Sequence, residues 1–354
     1  MYRIDTITDN MLEDYFNKYA IKVKNYMIQL LNGKITIPGE LGTKNKILIK
    51  YKVKKDTPTW HFLNKYAQDA NLHKLLCGSW EELLEIISDV ESLIPNLEWK
   101  KRATKAEYNK KKYQIDGIDT DGSKFIDHFN EIMHWLFVDT MYEKELDKLQ
   151  FIEKLGLKIC PYCGRQHINI AKLSGHRASK PNIDHFLPKS LYPFLGISFR
   201  NLIPCCYVCN EVANKGNYDP LEPYIGLYNP YVFNDDNVKF KGIFNDKNEM
   251  DVNGYDVDII CNPTTLDKGY KEVLKLLIFY QQEKLKIQDI YISFTKATKI
   301  YKEFLKDLGI KQEFLDDNIR MIIGHPLDGK ASEREFYKFK RDLFLQLVRM
   351  YRTH

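Results

Sequence analysis

Two pairs of closely spaced cysteines are the residues of this chain best suited to chemistry. The pairs are Cys160-Pro-Tyr-Cys163 and Cys206-Tyr-Val-Cys209, and 42 residues separate Cys163 from Cys206. Each C-x2-C turn can place two thiolates about 4 Å apart, as one edge of a tetrahedron with Zn–S bonds of about 2.3 Å. A single C-x2-C can be a redox motif, whereas two that flank one segment are better explained by a shared metal ion. The spacing therefore predicts a structural zinc site.

Neighbouring residues leave the ligand set partly open. Cys205 stands directly beside Cys206, but only Cys206 keeps the two-residue gap to the last cysteine of the motif. His167 and His176 lie in the same region and are interpreted as bystanders. The sequence therefore favours a site of four thiolates, with Cys205 as the alternative to Cys206.

A carboxylate, an imidazole and two amides lie between and beside the cysteine pairs. Asp184 and His185 are adjacent, Asn201 follows, and Asn210 comes directly after the last cysteine. The β-branched residue before Asp184 favours a strand, which Pro188 ends in a loop. The segment around Asn210 predicts a loop and then a short helix that starts near the zinc. Asp184 and Asn210 would then face one space with His185 opposite, an arrangement suited to metal-assisted phosphodiester cleavage.

In this order the residues resemble the zinc-knuckle variety of the HNH nuclease motif, also called the ββα-metal or His-Me finger. The family pattern is a C-x2-C pair, an apolar residue before Asp-His, an Asn, and a second pair followed by Asn and then Lys. The resemblance covers residues 160–215 of the 354. The third motif position is Asn210 rather than His, as in many family members. Lys215 lies six residues after Cys209, where the usual gap is about four.

The resemblance implies a role for each matching residue. His185 corresponds to the general base that takes a proton from the attacking water. Asp184 and Asn210 correspond to the ligands of one hard divalent cation, Mg²⁺ or Mn²⁺. Asn201 corresponds to the residue that braces the catalytic loop and orients the histidine through the backbone. The implied reaction is hydrolysis of DNA phosphodiester bonds, which leaves 5′-phosphate and 3′-hydroxyl ends.

Candidate contacts to nucleic acid are cations within and before the motif. Within the motif they are Lys189, Arg200 and Lys215, each of which is equally well explained as an ordinary surface charge. Before the motif, residues 99–124 are rich in lysine and predict an exposed loop or a basic hairpin. Such a segment either contacts the DNA backbone or is a solvated face. The net charge of +5 permits a nucleic-acid partner without establishing one.

The elements that must position the motif are predicted to be mostly helical. We expect an α+β fold in which a central zinc-stapled ββα-metal finger is embedded in a mostly α-helical chain. The predicted division is a mainly helical region over residues 1–155, the zinc-bound finger over 156–220, and a β-hairpin plus helices over 221–354. A chain of this length can form two or three domains.

Local patterns place several of these elements. Ser79-Trp-Glu-Glu82 predicts a capping box at the start of a helix. Apolar spacing predicts one long helix over about 124–155 and a final amphipathic helix over about 332–351. Alternating apolar residues predict a hairpin, with one strand from Val238 and a second over about 255–260.

Composition limits the class of protein and its compartment. No apolar run approaches the roughly 18 residues of a membrane span, and the first residues lack the layout of a secretory signal. A cytoplasmic protein without a membrane partner is therefore expected. In that compartment the seven cysteines are interpreted as metal ligands or buried thiols rather than disulfides. Cys77 and Cys261, which stand alone among apolar residues, are expected to be buried.

The sequence of residues 184–190 and 201–210 resembles that of the HNH effectors of bacterial anti-phage systems of the Septu and retron types. In those systems the nuclease works with an SMC-like or ABC-type ATPase. The resemblance implies an antiviral defence role and an ATPase subunit that docks on one of the helical arms, through which oligomers could also form. Two alternatives stay open: a stand-alone restriction or nicking endonuclease, and a zinc-held nucleic-acid-binding module without catalysis.

Overall fold

The computed structural model describes residues 1–33, 35–39, 47–95, 124–126, 129–172, 174, 179–245, 247–308 and 322–352. The chain divides into two compact units, each built from separate stretches. The first, Thr6–Leu155 with Ile183–Ile203, contains His185 and is called the histidine unit. The second, Met1–Asp5 with Gly156–Asn182 and Pro204–His354, is called the cysteine unit. The three-part division predicted above stays a prediction. The basic segment 99–124 lies outside the described residues except for Lys124.

Four helices open the histidine unit: α1 (Asp9–Leu31), α2 (Pro58–Tyr66), α3 (Asp69–Cys77) and α4 (Trp80–Leu93). The predicted capping box is confirmed at the start of α4. The Ser79 hydroxyl accepts the Glu82 N–H, and the Glu82 carboxylate accepts the Ser79 N–H. These bonds satisfy backbone donors that the first turn of a helix leaves unpaired.

A small sheet in the histidine unit was not expected from the sequence. Strands β1 (Ile35–Gly39) and β2 (Ile47–Val53) pair antiparallel, and β3 (Lys124–Ile126) pairs parallel to β2. The prediction that a helix begins near Lys124 is therefore wrong. The reason is tertiary, because pairing with a strand more than 70 residues earlier outweighs the local helical pattern.

The rest of the predicted long helix is also interrupted. Helix α5 (Phe129–Met133) continues as a π-helix over His134–Glu145, and α6 (Lys148–Leu155) starts anew after a break. The Asp147 carboxylate accepts the Gln150 N–H and so caps the start of α6. A π-helix widens the turn and changes which residues share a face.

Two short strands carry the Asp-His pair and the segment before the second cysteine pair. Strand β4 (Asn182–His185) pairs with β5 (Leu202–Cys205), and the Phe186 N–H donates to the Asn201 carbonyl at 2.9 Å. The predicted strand before Pro188 is confirmed. Helix α7 (Tyr207–Asn210) follows, which confirms the predicted short helix.

The cysteine unit contains the predicted hairpin. Strands β6 (Val238–Ile243) and β7 (Asp256–Cys261) pair antiparallel. They are followed by α8 (Leu276–Gln281), α9 (Lys284–Leu308) and α10 (Tyr337–Arg352).

Helix α10 packs on β6 and binds its backbone. The Asp342 carboxylate accepts the Phe240 N–H, and the Gln346 side chain bonds to both the N–H and the carbonyl of Gly242. Helix α10 starts later than predicted, because Phe336 has a positive φ of 59° that a continuous helix excludes.

Helices and small sheets together make the fold broadly α+β, as expected. No helix in the described part of the chain combines the length and apolarity needed to cross a bilayer.

Candidate active site

The four predicted cysteines meet in the cysteine unit. The Sγ atoms of Cys160, Cys163, Cys206 and Cys209 all lie within 4.8 Å of one another, and all four residues are buried. A tetrahedral zinc with Zn–S bonds of about 2.3 Å requires sulfur atoms about 3.8 Å apart, so the cluster fits this ion. Backbone N–H groups approach two of the sulfurs, from Arg165 to Cys163 and from Cys209 to Cys206. The cluster could therefore hold a structural zinc.

Close backbone packing shapes the turn that carries the first cysteine pair, Cys160 and Cys163. Gly164 has a φ of +67°, and its N–H donates to the Cys160 carbonyl at 2.8 Å. A Cβ at Gly164 would lie 2.6 Å from the Met1 nitrogen, closer than real Cβ contacts occur. The Tyr280 hydroxyl donates to the Cys163 carbonyl at 2.7 Å. Glycine is required here both for the left-handed turn and for the space.

The cluster decides between Cys205 and Cys206. Cys206 contributes to it, whereas Cys205 is buried outside it. Cys206 also caps α7, the helix that Asn210 ends. His167 pairs with Glu335 at 2.6 Å on the surface, and His176 lies outside the described residues. The four-thiolate interpretation is thus the one that the geometry supports.

The two isolated cysteines are buried, as predicted. Cys77 lies at the end of α3 and Cys261 at the end of β7. Burial raises the pKa of each thiol to about 12. Both thiols are therefore neutral at physiological pH.

In the histidine unit, one backbone carbonyl orients His185. The His185 Nε2 lies 2.9 Å from the Gly196 carbonyl oxygen, and both His185 and Asp184 are buried. Because a carbonyl can only accept a hydrogen bond, Nε2 must carry the proton. The basic lone pair of the neutral ring is then at Nδ1. In this tautomer, Nδ1 is the ring atom that can accept a proton.

Asn201 braces the loop around His185. Its Oδ1 accepts the Leu187 N–H at 2.7 Å, and its Nδ2 donates to the Leu187 and Leu195 carbonyls at 3.2 and 3.0 Å. Asn201 is fully buried. It therefore ties the residues just after His185 to the residue just before Gly196, which binds the imidazole.

Replacing Asn201 tests this bracing. We expect Asn201→Leu to lower the free energy of unfolding by about 3–5 kcal/mol, because the buried Leu187 N–H and carbonyl lose this partner and the Leu195 carbonyl keeps only the Ser198 N–H. Urea titration followed by circular dichroism measures the change. Asn71→Ala is the control, since Asn71 bonds the Lys65 carbonyl at an exposed site and should cost less than about 1 kcal/mol. Equal losses in both variants would contradict the bracing role.

Two residues at positions that the motif does not specify also position His185. The Tyr142 ring lies 4.4 Å from the imidazole between centroids at 65°, and its hydroxyl donates to the Ile183 carbonyl at 3.3 Å. Gly196 is packed so closely that a Cβ would lie 3.0 Å from the Phe137 carbonyl oxygen. Sequence reasoning missed both residues. Tyr142 belongs to a π-helix more than 40 residues before the motif histidine, and nothing local points to it.

The remaining predicted residues are placed as follows. Asn210 is half-buried in the cysteine unit, whereas Asp184 belongs to the histidine unit. Their joint binding of a cation stays a prediction. Lys215 is fully buried and presents no surface to a phosphate. The Arg200 guanidinium donates to the Cys77 and Gly78 carbonyls at 2.6 and 2.8 Å, where it satisfies the end of α3.

Lys189 is a predicted phosphate contact whose side chain is partly exposed. Its ammonium lies 3.1 Å from the Glu143 carboxylate and 4.9 Å from the centroid of the Tyr142 ring. Since Tyr142 also touches His185, Lys189 lies close to the imidazole. Its role as a phosphate contact stays a prediction.

Comparison with known proteins gives one partial match. Over 81 residues, 23% of this chain, the sequence is 34% identical to the Septu protein PtuB of Bacillus thuringiensis. The matched segment corresponds to 28% of that protein, so the chain matches little more than a quarter of its length. No family model and no solved structure matches. The chain is thus distantly similar, in part, to a Septu protein.

Proposed function

We propose that this protein is a metal-dependent HNH endonuclease that hydrolyses phosphodiester bonds of DNA. The observation that carries the proposal is the hydrogen bond from His185 Nε2 to the Gly196 carbonyl. It holds a buried imidazole, next to a buried Asp184, in the tautomer whose lone pair is at Nδ1. The order of motif residues and the four-cysteine cluster support the same assignment.

In the proposed reaction, His185 accepts the proton of the attacking water. Asn201 keeps the ring in place through the backbone on both sides of the loop. Asp184 and Asn210 would hold Mg²⁺ or Mn²⁺ through a carboxylate and an amide oxygen, the ligand type that these ions prefer. When bound, that ion would stabilise the charge on the scissile phosphate and the leaving oxygen. Zinc has no chemical role in this proposal, because four thiolates complete its coordination.

The proposed setting is anti-phage defence. The partial similarity to a Septu protein adds to the motif resemblance to HNH effectors of Septu-type systems. In this setting the nuclease acts with an SMC-like or ABC-type ATPase, which docks on helices outside the motif. Activity of the isolated chain would then depend on that partner.

Plasmid cleavage tests the catalytic proposal. Purified protein is incubated with supercoiled, linear and single-stranded DNA, with Mg²⁺, with Mn²⁺ and without added metal, in each case with and without the ATPase of a neighbouring gene. We expect metal-dependent nicks that DNA ligase seals directly, because the ends carry 5′-phosphate and 3′-hydroxyl groups. Salt-sensitive DNA binding without any metal-dependent product would instead indicate a zinc-held binding module.

A further inference from the structure

A pair of lysines lies over one aromatic ring beside His185. The Lys148 and Lys189 ammonium groups lie 4.0 and 4.9 Å from the centroid of the Tyr142 ring. At these distances the electron-rich face of the ring attracts both cations. The same ring also contacts the imidazole of His185, 4.4 Å away between centroids. One tyrosine thus connects two cations to the proposed general base.

A single carboxylate holds both lysines. Glu143 pairs with Lys148 through one oxygen and with Lys189 through the other, at 2.5 and 3.1 Å. Burial acts to raise the pKa of Glu143, but the hydrogen bonds from the two lysines outweigh it and lower that pKa. Glu143 is therefore ionised at physiological pH, and it bridges two ammonium groups as a phosphate could.

The charges of this cluster do not cancel. Two cations share one anion, so one positive charge is left over at the site. Several other lysines of the described part of this unit each pair with one carboxylate: Lys22 with Glu145, Lys24 with Asp69, Lys65 with Asp89, Lys74 with Glu85, and Lys154 with Asp14. The group beside His185 instead places two lysines on one carboxylate.

The pairs with Glu143 are also easy to exchange. The side chains of Lys189 and Glu143 are 38% and 45% exposed, and ion pairs that water reaches this easily contribute little to stability. An incoming phosphate can therefore displace the carboxylate at low cost. Lys148 is less exposed, at 19%, and its ammonium group lies closer to the ring.

We propose that Lys148 and Lys189 form a clamp for a backbone phosphate of the substrate, in which Glu143 is the resident anion that the phosphate displaces. This inference rests on the proposed function. Through Tyr142, both ammonium groups lie within about 9 Å of the imidazole. Phosphates of one strand follow every 3.4 Å or so along the helix axis. The clamp therefore contacts the scissile phosphate or one of its near neighbours.

Salt dependence of DNA binding tests the clamp. Fluorescence anisotropy with a labelled duplex of about 20 base pairs, without divalent metal, gives the affinity at several KCl concentrations. Each phosphate contact contributes a slope of about −0.9 to log K against log salt. We expect the double variant Lys148→Ala/Lys189→Ala, which loses one phosphate contact, to lose about 0.9 from the magnitude of the slope and about tenfold in affinity near 0.1 M salt. Glu143→Gln, which removes the competing charge, should tighten binding severalfold.

Lys154→Ala is the matched control, because Lys154 lies on the same helix α6 and pairs with a carboxylate of its own. It should leave the slope unchanged. A double variant with the slope of the wild type, or a Glu143→Gln variant that binds more weakly, would overturn the clamp. Wild-type protein that shows no DNA binding at any salt concentration would overturn it as well.

Plasmid cleavage separates this inference from the proposed function. If the wild type cuts DNA and the double variant cuts equally well at each salt concentration, the phosphate-clamp proposal is rejected and the nuclease proposal is kept. If the wild type binds DNA but never cuts it, and only the double variant loses salt-dependent binding, the nuclease proposal is rejected and the phosphate-binding site is kept. Thermal melts check that the substitutions leave the fold intact.

Discussion

His185→Ala is expected to reduce the rate of Mg²⁺-dependent DNA cleavage by about 10²–10⁴-fold, the usual contribution of a general base. The physical reason is specific to one atom. In the proposed mechanism the Gly196 carbonyl holds the proton of the neutral imidazole at Nε2, so Nδ1 would accept the proton of the water. Initial rates of plasmid nicking, with the ATPase partner where activity requires it, measure the effect. DNA binding without metal should change little.

Two further variants make this result interpretable. His167→Ala removes an exposed imidazole that pairs with Glu335, and it should cut DNA at the wild-type rate. His185→Gln places an amide donor near the position of Nε2, where it can reach the Gly196 carbonyl, so it separates loss of the base from loss of a structural hydrogen bond if the alanine variant unfolds. A folded His185 variant that cuts DNA as fast as the wild type would rule out the proposed mechanism.

Cys209→Ser is expected to abolish zinc binding and to destabilise the cysteine unit. Metal analysis should give about one zinc per wild-type chain and less than a tenth of that for the variant. The free energy of unfolding should fall by about 4 kcal/mol or more, because structural zinc contributes on the order of 10 kcal/mol to small zinc domains. Cleavage should be lost with the metal, since Asn210 ends the helix that Cys206 caps.

Cys205→Ser is the control for this loss. Cys205 is buried beside the ligand Cys206 but lies outside the cluster. The variant should keep its zinc and lose only about 1–3 kcal/mol, from a hydroxyl buried in place of a thiol. If Cys205→Ser lost the metal and Cys206→Ser retained it, the ligand set would be wrong.

The two cysteine pairs and the Asp-His strand could be predicted because their information is local. A C-x2-C turn positions two sulfurs by itself, and Ile183 before Asp184 favours a strand that the structure contains. The capping box at Ser79 is likewise contained within four residues. The same holds for the hairpin β6–β7, which joins neighbouring stretches of chain.

The errors arise where distant segments compete with local pattern. The apolar spacing over 124–155 favours one helix, yet Lys124–Ile126 forms a strand on β2 and the helix is interrupted before Lys148. A strand pairing far along the sequence contributes nothing to local periodicity, so no window of residues could have revealed it.

The amino-acid sequence by itself determined which side chains are available for chemistry, since their types and spacing follow from the chain alone. Only the tertiary structure decided that Cys206 rather than Cys205 joins the cluster, that Gly196 holds Nε2 of His185, and that Tyr142 lies beside the imidazole. The physical reason is that the tautomer of a histidine and the charge around it depend on contacts within about 3–5 Å. Such contacts join residues far apart in the chain, and only the packed fold brings them together.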